Sequence, residues 1–208
     1  MTAFEGLTVL FIGDLNDYSK CYSRLKAFRE LGANVLDFSH APMGGEGDGH
    51  TEMSLSFRIA WKFGFHPDQE KSNEWLLQQA SIEAPALIWI EKGNMIRPRV
   101  LRRLRTLCPD TIIASYTDDD MYNWSNRTWA YTRGLQYYDV VFSTKSYNAS
   151  AEELPRLGAR KVVMVDKGVI FVADIEEENS SAKLFTARGS NANPIWSPTG
   201  KQLAFVSY

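Results

Sequence analysis

Four polar stretches in this chain each follow an apolar run, and their residue types suit chemistry on hydroxyl groups. The first holds Asp14, Asn16, Asp17 and Tyr18; the second Glu91, Lys92, Gly93 and Asn94. The third is Asp118-Asp119-Asp120 with Asn123, Asn126 and Arg127, and the fourth carries Thr144, Lys145 and Asn148. Carboxylates and amides pair with hydroxyls, and the rings of Tyr122, Trp124 and Trp129 can stack on the C–H faces of a sugar. Adjacent aspartates repel one another, which raises the pKa of one member and suits it to taking a proton from a hydroxyl. The same cluster also fits a structural role, with one aspartate capping a helix and the others in water. Asp118 and Asp119 are therefore the candidates for contacting or deprotonating an acceptor hydroxyl. Asp14, Asn16, Lys92, Asn126, Arg127 and Lys145 are the candidates for lining the same cleft, where a lysine can hold a phosphate or carboxylate.

Other chemistries lack their residues. The turn Gly13-Asp-Leu-Asn-Asp-Tyr-Ser19 has one glycine where a dinucleotide fingerprint needs three, and no P-loop sequence occurs. His40, His50 and His66 show no metal-ligand spacing and read as ordinary loop histidines. No tightly bound cofactor or metal is expected. Cys21 and Cys108 are the only cysteines and lie far apart, which suits a reducing compartment. With a net charge of −2, no leader-like opening and no apolar run of membrane length, the expectation is a cytoplasmic protein that binds neither membrane nor nucleic acid. The arginines at 97, 99, 102, 103 and 105 alternate with Val100, Leu101, Leu104 and Leu107 at a helical period, and so fall mostly on an outer face.

The elements that must position these groups alternate. Leu7–Ile12, Asn34–Phe38, Ala86–Ile90, Thr111–Tyr116, Val140–Ser143 and Lys161–Val165 read as strands. Helical patterns run from Tyr18 to Leu31, over about Glu52–Phe63, and over Pro67–Glu83, Pro98–Leu107, Asn126–Tyr137 and Ala151–Leu157. Strand–helix alternation demands parallel pairing with right-handed crossovers, so an α/β, Rossmann-like, doubly wound sheet is expected over residues 1–166. In such a sheet ligands bind beyond the carboxyl ends of the strands, where the four polar stretches fall. Residues 167–208 lose the helical period. Asp166-Lys167-Gly168 is a hairpin signal, so the strands Val169–Ala173, Lys183–Thr186, Ile195–Trp196 and Leu203–Ser207 are expected to extend the sheet edge antiparallel. An exposed edge there also offers a route to self-association.

Two resemblances follow from ordered sets of residues. Val9-Leu-Phe-Ile-Gly-Asp14, Arg29-Glu-Leu-Gly32, Ile90-Glu-Lys-Gly93 with Arg97-Pro98, Tyr116-Thr-Asp-Asp119, Asn126-Arg127, Tyr138–Lys145 with Asn148, and Leu157–Val163 together resemble the N-terminal half of a CgeB-like glycosyltransferase of the GT-B fold, over ~7–168. The resemblance implies a sugar or other hydroxylated acceptor bound by this half and a nucleotide sugar as donor substrate. It also implies weak or no transfer by this chain alone, because the donor-binding half is missing. Ile170–Asp174, Leu184–Thr186 and Trp196-Ser-Pro-Thr-Gly-Lys-Gln-Leu-Ala-Phe205 resemble a single repeat of a TolB-type β-propeller over ~169–208, with Thr199 where aspartate is commoner. A natural fusion and an engineered chimera account equally for such a junction. The alternative reading is a non-catalytic scaffold or interaction protein with a Rossmann domain and an added β-layer.

Overall fold

The computed structural model describes residues 4–41 and 55–165, together with three C-terminal strands. Six strands form one all-parallel sheet: β1 (Thr8–Gly13), β2 (Asn34–Ser39), β3 (Leu87–Glu91), β4 (Ile112–Thr117), β5 (Val140–Ser143) and β6 (Val162–Met164). Their order is β2-β1-β3-β4-β5-β6, with β1 and β3 in register from Val9 against Leu87 to Ile12 against Ile90. Strand residues alternate between two cores. Leu10, Ile12, Ile88, Ile90 and Val141 face one, with side chains from α3 (Ser72–Glu83), α4 (Pro98–Leu107) and α5 (Trp129–Gly134). Val9, Phe11, Trp89, Tyr116 and Phe142 face the other, where Leu25 and Phe28 of α1 (Lys20–Glu30) cover them. Burial on both faces is why these strands read as unbroken apolar runs. The doubly wound, Rossmann-like α/β class is the observed one.

Local chemistry sets the helix boundaries. Ser19 accepts from the Cys21 N–H at the start of α1, and Thr128 accepts from the Tyr131 N–H at the start of α5. The helix expected from Pro67 begins instead at Ser72, because the Asp68 carboxylate accepts the N–H groups of Ser72 and Asn73. The fifth helix starts at Trp129 rather than Asn126 and ends in a 3-10 turn, Leu135–Tyr137. No helix forms over 151–157. Pro155 lacks an N–H and so cannot donate to Ala151, and the segment is a series of turns. The helix α2 (Leu55–Lys62) lies inside the expected span, whose first residues fall outside the described ones. Arg105 departs from the outward arginine face. It reaches the carbonyl oxygens of Tyr137 and Thr111 and the Asp139 carboxylate, tying α4 to the start of β5.

The C-terminal strands do not lengthen the parallel sheet. β7 (Ile170–Asp174) pairs antiparallel with β8 (Lys183–Phe185) along one edge and β9 (Gln202–Phe205) along the other. A strand has two edges, so β7 has none left for β6, and the three form a separate sheet of order β8-β7-β9. The Asp166-Lys167-Gly168 turn and the strand expected at Ile195–Trp196 lie outside the described residues.

Candidate functional site

The strand order reverses between β1 and β3, which opens a crevice beyond their carboxyl ends. A cavity of about 240 Å³ occupies it, lined by His40 after β2, Phe57 and Trp61 of α2, His66, and Lys92, Asn94 and Met95 after β3. That volume is below the usual range for a drug-sized ligand, so it suits one small molecule. The His66 ring stands edge-on to Phe57 at 5.0 Å and to Trp61 at 5.1 Å, and its Nδ1 lies 2.9 Å from the Pro67 carbonyl oxygen.

Burial disfavours the charged form of both imidazoles. It pushes the half-buried His40 down to about 4 against the pull of Asp14, and it lowers His66 as well. Both rings are thus neutral near pH 7, with a ring nitrogen available to accept a hydrogen bond from a hydroxyl. An NMR titration of the His40 ring is expected to give a midpoint near 4. Because that lies below the unfolded value of about 6.5, the stability His40 contributes is whole above pH 6.5 and lost as pH falls toward 4. A midpoint at or above about 6.5 would show that the ring is solvated instead.

Lys92 enters this cavity from an unusual backbone. Its φ is +59°, in the left-handed region, and Gly93 follows at +77°. The Lys92 N–H donates to the Tyr116 carbonyl oxygen at 2.8 Å, and the Gly93 N–H to that of Glu91 at 2.7 Å, which fixes the turn. A side chain at Gly93 would place its Cβ 2.7 Å from the Tyr138 hydroxyl, so only glycine fits there. Burial works against the Lys92 charge, yet its contact with Asp119 outweighs that and raises its pKa; Nζ and Oδ2 are 2.7 Å apart.

Beneath the turn lies a pair that sequence reasoning passed over. Glu91 is 1% exposed and accepts from Arg24 Nε and Nη2, both at 2.7 Å, and from the Trp89 indole N–H at 2.7 Å. The Arg24 guanidinium also sits 4.0 Å above the Tyr116 ring. Burial, and then the neighbouring Glu91 charge, push the Cys21 thiol up to about 11, so it is no nucleophile at neutral pH.

The sequence candidates divide in two. Lys92 and Asp119 meet at the crevice, and Asp118 adds its charge beside Lys92. Asp14 accepts from the backbone and side-chain N–H groups of Asn16, making a closed turn after β1 whose charge acts on His40. The others hold loops. Asp120 accepts the N–H groups of Tyr122 and Asn123, and Asn126 donates to the Asp120 carbonyl oxygen. Arg127 donates to the Met121 carbonyl oxygen and lies over the Tyr122 ring. Lys145 is half-buried after β5, outside the lining of the cavity. Asn148 is wholly buried, donating to Asp120 and Glu153 and accepting from Met121 N–H and Ser143. His40, read from the sequence as an ordinary loop histidine, immediately follows β2, and the strand-end rule applied to that strand would have marked its position.

No protein family, curated protein or solved structure matches this chain. The site is thus read from its chemistry alone. Among the described residues no helix is long and apolar enough to cross a membrane, and no group of three or more His, Cys, Asp or Glu is placed to hold a metal ion.

Proposed function

We propose that this chain is a glycosyltransferase-derived domain that binds a sugar or other small hydroxylated acceptor in the crevice beyond β1, β2 and β3. The observation that carries this reading is the cavity itself, where two neutral imidazoles, an amide and a lysine meet aromatic walls of Trp61 and Phe57. Such a lining offers hydrogen-bond acceptors and donors to hydroxyls and flat faces to C–H groups. In this reading Asp119, held by Lys92, and Asp118 beside it contact or deprotonate the acceptor hydroxyl, and a nucleotide sugar is the donor substrate. Transfer is weak or absent in this chain alone, because only one wall of the expected two-domain cleft belongs to the resembling segment.

A thermal-shift screen of the full chain against simple glycans, nucleotides and nucleotide sugars tests it. A glycan or nucleotide sugar is expected to raise Tm, and Lys92→Met is expected to remove that shift. Asp118→Asn with Asp119→Asn is expected to abolish any transfer. Stabilisation by no ligand, or a shift untouched by Lys92→Met, would sink the reading. A non-catalytic scaffold is the second reading, favoured by the engagement of Asp119 by Lys92 and of Asp120 by its own turn.

A further inference from the structure

A second concavity lies at the same end of the sheet, and its chemistry differs from that of the crevice. Its volume is about 330 Å³, with Lys62, Phe63, Trp124, Arg127, Trp129 and Thr132 in its wall. Three large aromatic side chains there face water: Phe63 is 80% exposed, Trp124 73% and Trp129 42%. Single exposed rings are ordinary, but three around one concavity mark a contact surface.

The groove is preformed. The Trp129 N–H donates to the Gly64 carbonyl oxygen at 3.1 Å, which ties the end of α2 to the start of α5. The Trp129 ring lies nearly parallel to Phe65, at 12° and 6.4 Å, with the Arg133 guanidinium 5.4 Å from its centroid. Arg127 is steadied by the Met121 carbonyl oxygen and the Tyr122 ring. Trp124 and Phe63 therefore offer open aromatic surface beside two cations, and no carboxylate lines the groove.

We propose that this groove is a second ligand site, separate from the crevice, for an anionic saccharide whose ring stacks on Trp124 and whose acidic group lies between Lys62 and Arg127. The balance of charge decides against a nucleic acid strand. Such a strand needs a basic groove that tracks successive phosphates, whereas this wall holds two cations in a chain of net charge −2. A single carboxylate, sulfate or phosphate matches them. The short groove matches one or two rings.

The test is calorimetric titration of the full chain with three acidic probes: trigalacturonic acid, a heparin disaccharide and glucose 6-phosphate. Controls are methyl-esterified trigalacturonate, glucose and a six-nucleotide oligothymidylate. At least one acidic saccharide is expected to bind about tenfold tighter than its neutral counterpart, and more weakly as salt rises. Which probe wins identifies the acidic group. Lys62→Gln is expected to erase most of that preference, and Trp124→Ala to weaken binding about tenfold. Both residues are exposed, so the fold is retained, and an unchanged melt checks this. Lys92→Met, which alters the crevice, is expected to leave this binding intact, so the two sites succeed or fail separately. Binding to no acidic saccharide, equal binding of acid and neutral probes, insensitivity to Trp124→Ala, or preference for the oligothymidylate overturns the proposal.

Discussion

Glu91→Ala is expected to destabilise the protein by about 3–5 kcal/mol, lowering Tm by roughly 10 °C. The cost follows from what is left behind. Arg24 has a side chain only 13% exposed, and its guanidinium would lie beneath the β3 turn with no carboxylate to receive it. The Trp89 indole N–H would lose its acceptor as well. Breaking a buried pair costs far more than replacing it, because desolvation falls on the ion that remains. Arg24→Met combined with Glu91→Leu is therefore expected to recover most of the loss. Urea unfolding of the single and double variants measures both. A Glu91→Ala protein within about 1 kcal/mol of the original, or a double variant no better than the single, would show that the pair carries little weight.

Asn148→Asp is expected to cost about 3 kcal/mol or more at pH 7, and less in acid. Asn148 is fully enclosed, and its amide nitrogen donates to Asp120 at 2.9 Å and to Glu153 at 2.8 Å. The substitution replaces both donors with a carboxylate facing two others. Repulsion and burial raise the pKa of the introduced group in the folded protein above its unfolded value of about 3.9. The folded state then binds its proton more tightly, so the deficit is smallest below pH 4 and grows as pH rises. The informative quantity is the difference in unfolding free energy between variant and original at pH 4 and at pH 7. A deficit equal at both would mean that the cost is steric rather than electrostatic. Because Asn148 joins the loop after β4 to that after β5, the variant is also expected to loosen the turn at Asp120.

The parallel sheet was legible in the sequence because strands covered on both faces have no polar alternation to blur them. Leu87–Glu91 and Val140–Ser143 show this most plainly, every residue in them being buried. Legibility failed where one residue's local chemistry overrode the pattern. Asp68 sets the start of α3, and Pro155 dissolves an apparent helix into turns. The candidate site was half readable. The polar groups follow the carboxyl ends of β1, β3, β4 and β5, and the adjacent aspartates take separate partners that their sequence does not announce. Asp119 turns toward Lys92 and Asp120 turns into its own backbone. The Arg24–Glu91 pair joins groups 67 positions apart, and no local spacing announces it. His40 lacked a partner at ligand spacing and so looked idle, whereas the cavity forms only when α2 is brought over the end of β2.

The left-handed backbone at Lys92 sets two selective demands against each other. An L-residue with a side chain pays about 1–2 kcal/mol there relative to the conformations it favours, and glycine does not. Selection for stability alone would drift this position toward glycine or asparagine, and Gly93 shows that glycine is readily accepted one step away. A lysine in that setting carries a backbone cost, as Lys71 and Ala84 do at φ +61° and +42°. It is offset by what the ammonium group reaches, which among the described residues is the carboxylate of Asp119 and the cavity beside it. Position 92 is therefore where backbone and side chain make opposing demands, the backbone favouring glycine while the cavity wall and Asp119 engage an ammonium group.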